Sequence, residues 1–154
     1  MWLFGSSDKP MDKLTIRSYL PSDEPAVKKL WEACGLLVPW NNPSTDIARK
    51  HQNSTELFFV GEIDDALMAT CMAGYDGHRG SIYYLAVDEK YRKQGHGTTL
   101  VHHAEKALRE AGCPKINLMV RDTNQEVLSF YESIGYASAP VVVLGKRLIE
   151  DGPY

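Results

Sequence analysis

Leu85-Ala86-Val87-Asp88-Glu89-Lys90-Tyr91-Arg92-Lys93-Gln94-Gly95-His96-Gly97-Thr98-Thr99-Leu100 joins the end of an apolar strand to an amphipathic helix through a basic turn holding two glycines. Glycine lacks a Cβ, so Gly95 and Gly97 let the backbone approach a ligand closely. The first amides of a helix have no intrahelical partner, and the helix dipole favours an anion beside them. With Arg92 and Lys93 adjoining, the turn reads as a phosphate or pyrophosphate site, its contacts running from Arg92 through Lys93, Gln94, Gly95, His96 and Gly97 to Thr98. It is not a mononucleotide P-loop, which needs G-x-x-x-x-G-K-[ST]. A dinucleotide fingerprint needs a small residue where Leu100 stands.

Beyond this turn, Leu100, Ala104, Ala107, Leu108 and Ala111 share one helical face, and Gly112 and Pro114 stop the helix. Ile116 to Val120 reads as a strand, Asn124 to Ile134 as a helix ended by Gly135, and Val141 to Leu144 as a last strand that offers an edge for a homodimer. Before the turn, Leu14–Tyr19, Leu57–Val60, Leu67–Gly74 and Ser81–Val87 read as strands. Asp64-Asp65 and Asp76-Gly77-His78-Arg79-Gly80 are turns between strands, Asp-Gly being a hairpin signal. One helix opens at Pro21–Pro25 and ends at Gly35; a second is capped by Ser44 and runs to about Asn53. Antiparallel strands followed by a β-α-β crossover predict an α/β fold whose mixed, mostly antiparallel sheet carries helices on both faces.

The 154 residues suffice for one domain with its own core, expected over 13–154 behind an N-terminal arm of residues 1–12 that Met11 marks as an alternative start. Seventeen Lys+Arg against twenty Asp+Glu exclude a charge-driven nucleic-acid binder. Cys34, Cys71 and Cys113 are odd in number and lack C-x-x-C spacing, so neither a disulfide framework nor a zinc site follows. His96, His102 and His103 fit no H-E-x-x-H pattern and read as surface residues, with no metal expected. Trp2 to Phe4 is too short an apolar patch for a secretory signal, and no stretch reaches a membrane span; the expected compartment is the cytoplasm, with no membrane partner.

Arg92-x-x-Gly95-x-Gly97 after Leu85-x-Val87, with Asn124, Phe130-Tyr131 and Gly135-Tyr136 downstream, resembles the GNAT superfamily of acetyl-CoA-dependent N-acetyltransferases from Leu14 to the end of the chain. Leu30-Trp31-Glu32, Pro39-Trp40-Asn41, Gly74 to Gly80, Cys113 to Ile116 and Leu144 to Asp151 are similar to the bacterial YpeA-like members. The resemblance implies that the 92–98 turn wraps the pyrophosphate of coenzyme A. It also implies that Leu85, Ala86 and Val87 line the pantetheine arm where their strand bulges away from Ile116–Val120. In that scheme the Leu85 amide faces the acetyl oxygen, Asn124 touches the pantetheine, and Tyr131 protonates the departing thiolate. Many relatives carry a glutamate base where this chain has Ser81, which leaves Asp76 or His78, acting through water, as the base. Trp40, Tyr75 and Tyr83 are candidate acceptor contacts. The function implied is direct transfer of an acetyl group to a primary amine of a small molecule or a peptide or protein N-terminus. A silent acyl-CoA-binding module and a binder of another phosphorylated ligand stand as alternatives.

Overall fold

The computed structural model describes residues 13–153. The proposed arm and alternative start lie in residues 1–12, outside the described residues. Four strands, β1 (Thr15–Ser18), β2 (Phe58–Ile63), β3 (Ala66–Tyr75) and β4 (Gly80–Val87), pair antiparallel in sequence order. Tight turns explain that order. Asp64 and Asp65 both take positive φ, 51° and 60°, the conformation that matches a two-residue hairpin to strand twist. Asp76 closes the β3–β4 turn by accepting from the His78 and Arg79 amides, each at 2.8 Å.

Alternation along the strands sorts two apolar faces. Phe58, Val60, Met72 and Ala86 pack with Val27, Leu30 and Trp31 of α1 (Glu24–Ala33) and Ile47 of α2 (Pro43–His51). Phe59, Ile63, Ala69, Cys71, Ala73 and Ile82 point the other way. They meet Leu100, Val101, Ala104 and Leu108 of α3 (His96–Glu110) and Tyr131 of α4 (Gln125–Ser133). The sheet is therefore covered by helices on both faces, as the sequence predicts.

The two C-terminal strands do not form. Residues 116–120 pair with the sheet only at the parallel bridge Gly80↔Ile116, made by Gly80 N to Lys115 O at 2.8 Å and Asn117 N to Gly80 O at 2.9 Å. Beyond it residues 117–120 form no ladder with β4, while Leu118 and Val120 pack against the core. Residues 141–144 are exposed, Leu144 at 92%, and pair with no strand of this chain. β-branched runs become strands only where a neighbouring backbone lies at pairing distance.

Candidate active site

The first feature that positions the site is a bulge in β4. Pairing passes from Thr70↔Ala86 to Met72↔Tyr83, so Tyr84 and Leu85 together oppose the single residue Cys71. Tyr84 takes φ +50°, a left-handed conformation rare for a bulky side chain. Its surroundings hold it there. Thr70 Oγ1 donates to the Tyr84 carbonyl at 2.8 Å and accepts from Trp31 Nε1 at 2.9 Å. The Tyr84 ring stacks on Trp31 with centroids 3.8 Å apart, and its hydroxyl donates to Asp46 at 2.6 Å. Thr70 and Trp31 are fully buried, so these bonds are shielded from water.

Leu85 opens onto a cleft of about 1980 Å³ bordered by β4 and by residues 116–120. Tyr131 lines the same cleft from α4, with its ring packed edge-on against Phe130 and Tyr136. Its hydroxyl makes no hydrogen bond among the described residues. Burial pushes the Tyr131 pKa well above the ordinary value, so the phenol stays protonated and ready to donate.

The basic turn leads from β4 into α3. Gly95, at φ +82°, caps α3, and a Cβ placed on it would meet nothing within 4 Å. Its open side adjoins the first amides of α3, which have no intrahelical acceptor and could hold an anion. His96 Nε2, at the first residue of the helix, is buried without a partner among the described residues. Gly97 differs from the expectation of an open approach, because its missing Cβ faces the Phe130 ring at 3.5 Å. Arg92 folds back, its Nε donating to the Val87 carbonyl at 3.0 Å, while Lys93 takes φ +60° and is exposed with Gln94. Thr98 lies in the first turn of α3, and Ala86 points into the α1–α2 side of the core.

The remaining candidates separate. Trp40, 51% exposed, lines the cleft with Arg121 over its ring at 5.7 Å. Tyr83 lines it with 47% exposure. Tyr75 also borders it, but its hydroxyl is engaged by the Gly77 and Gly112 carbonyls at 3.2 Å, which pins the hairpin to the end of α3. Asp76 is at the rim, and its two backbone donors hold its carboxyl below the usual range, which weakens it as a base. His78 lies outside the cleft lining in the same exposed turn. Asn124 caps α4 through Oδ1, which accepts from Val127 N at 3.2 Å, and also lies outside that lining.

Sequence reading missed Thr70 and Tyr84 as site-forming residues and read Trp31 as core alone; their partnership spans 39 and 14 residues and has no local signal. It also missed Lys50, which reaches over the sheet from α2 to donate to the Ala73 carbonyl within the cleft. Among the described residues no group of three His, Cys, Asp or Glu side chains is placed to hold a metal ion.

The bulged strand, the cleft it opens onto and the helix N-terminus at its end belong to a chain whose relatives are acyl-group transferases. The family model for GNAT acetyltransferases matches residues 23–136. A protein named an acetyltransferase from Yersinia enterocolitica is 46% identical over 141 residues, which is 92% of this chain and all of that one. The solved structure of Ard1 from Thermoplasma volcanium superposes with a TM-score of 0.72 at 26% identity, covering 80% of this chain and 82% of that one. An aminoglycoside N-acetyltransferase solved with CoA shares the fold at TM-score 0.68 and 11% identity, covering 89% and 96% of the two chains. The chain belongs to the GNAT family of acetyltransferases.

Proposed function

We propose that this acetyltransferase moves the acetyl group of acetyl-CoA directly to a primary amine. The observation that supports this most is the Tyr84 bulge, which sets Leu85 and Tyr131 on one cleft. The Gly95 cradle, with the cations of Arg92 and Lys93, holds the pyrophosphate, and residues 85–87 with Asn124 flank the pantetheine. The solved aminoglycoside enzyme with CoA supports that assignment by fold alone. As the amine attacks the acetyl carbon, the Leu85 N–H donates to the oxygen on which negative charge builds. The carbon–sulfur bond then breaks, the Tyr131 hydroxyl supplies a proton to the leaving thiolate, and the proton shed by the attacking nitrogen passes through water to restore the phenol.

An α-amine is roughly 10–15% neutral at pH 7, whereas a lysine amine is about 0.04% neutral. A weak turn carboxylate at Asp76 therefore suits an α-amine acceptor. The test is stabilisation by acetyl-CoA in a melting assay, followed by release of free thiol with a panel of amines. Stabilisation without thiol release would leave the silent acyl-CoA-binding module; no stabilisation would reject the acetyl-CoA reading altogether.

A further inference from the structure

The floor of the cleft is chemically distinct from its catalytic end. Gly74 pairs with Ser81 across β3 and β4 and leaves that spot without a side chain. A Cβ there would lie 3.7 Å from Lys50 Nζ and 3.7 Å from Ser81 Oγ, so an ammonium and a hydroxyl converge on one bare patch of backbone. The Lys50 ammonium donates to the Ala73 carbonyl, and no carboxylate lies within ion-pair distance of it among the described residues. An ammonium carries three donors, so two remain for a ligand.

Glu56 acts on Lys50 only through its charge, from beyond ion-pair distance, and three carboxylates that line the cleft are engaged by other donors. Asp46 takes the Tyr84 hydroxyl at 2.6 Å, Asp76 takes two backbone amides, and Glu105 takes the Tyr136 hydroxyl at 3.0 Å. Those carboxylates keep their charge, but at the Gly74 patch itself the adjacent charge is the Lys50 ammonium, so the patch repels a second positive charge on an acceptor and attracts an anion. Its distance from the chemistry is set by the strand. Cys71 faces the bulge and Gly74 lies three residues further on, or about 10 Å at the usual rise.

We propose that the acceptor is a linear, peptide-like amine with a carboxylate about 10 Å from its nucleophilic nitrogen, held by Lys50 and Ser81 while the amine reaches Leu85. An extended tripeptide has that span, because each residue adds about 3.3–3.6 Å. A free amino acid is too short to touch both ends, and a polyamine meets the wrong charge. Burial holds the Lys50 pKa below its ordinary value, and a bound carboxylate favours its charged form. The inference rests on the acetyl-transfer reading above and names the substrate class for that site.

The experiment measures thiol release from acetyl-CoA with glycine, diglycine, triglycine and tetraglycine, each as free acid and carboxamide, and with spermidine. Triglycine should exceed glycine at least tenfold in kcat/KM, and amidation should cost it at least tenfold through KM. Lys50→Met should erase the preference for acid over amide, and Lys50→Arg should keep part of it. If Lys50→Met does not fold, the acid-to-amide ratio of the unaltered enzyme decides alone. Glycine matching triglycine, amides matching acids, or spermidine outperforming both would overturn the inference and leave acetyl transfer standing. No thiol release with any amine would overturn both.

Discussion

Tyr131 combines two physical roles, since its ring fills the α3–α4 side of the core and its hydroxyl lines the cleft. Tyr131→Phe keeps the ring and removes the proton, so kcat should fall on the order of 10²- to 10⁴-fold, the range for a lost general acid, while the melting temperature stays nearly unchanged. Because burial raises this pKa above the ordinary ~10, the acid form persists as pH rises. The rate should therefore show no alkaline decline from Tyr131 up to about pH 10, which a pH profile of kcat against the Phe variant would read. Thr70 acts through Tyr84. Thr70→Val leaves the Trp31 Nε1 donor and the Tyr84 carbonyl without their buried partner, a loss of about 1–3 kcal/mol in urea unfolding. The same change should lower kcat, and Thr70→Ser should restore both. Neither role of Thr70 is legible in the sequence, where it is one β-branched residue in an apolar run. Tyr131 stood out because it lies on a patterned helix beside a family motif.

The helices were the most legible elements. Proline and glycine punctuation and the apolar spacing of Leu100, Ala104 and Leu108 fix their limits locally. The bulge in β4 shifts pairing by one residue, and propensity carries no information at that resolution. Residues 116–120 and 141–144 show the converse, strand composition without a partner edge. At the junction of β4 and α3 the two glycines make different demands. Gly95→Ala forces a side chain into a left-handed backbone and should cost about 1–2 kcal/mol, with a weaker acetyl-CoA affinity by calorimetry. Gly97→Ala places its methyl at ordinary contact with Phe130 and should fold with little loss.

Across the whole molecule, the chain after α4 links the two helical layers. Tyr136 donates to Glu105 on α3, and fifteen residues later Asp151 takes a two-bond grip from Arg49 on α2, at 2.9 and 2.7 Å. Arg147 adds a bond to Asn41 at 2.9 Å, and residues 137–141 border the cleft on the way. The Arg49 guanidinium holds the Asp151 carboxyl below its ordinary pKa. That anchor is complete above the usual carboxylate range and is released only as pH falls through the lowered value. Asp151→Asn should accordingly make the tail cut faster in limited proteolysis at neutral pH, with the sheet and helices left intact. The placement of Trp31 and Trp40 also gives the molecule its own optics. One indole is sealed against Tyr84, and the other stands half in solvent beneath Arg121. With Trp2 replaced by phenylalanine, emission from the first reports the integrity of the bulge, and emission from the second reports arrivals at the cleft mouth, so a single ultraviolet titration can follow both without any label.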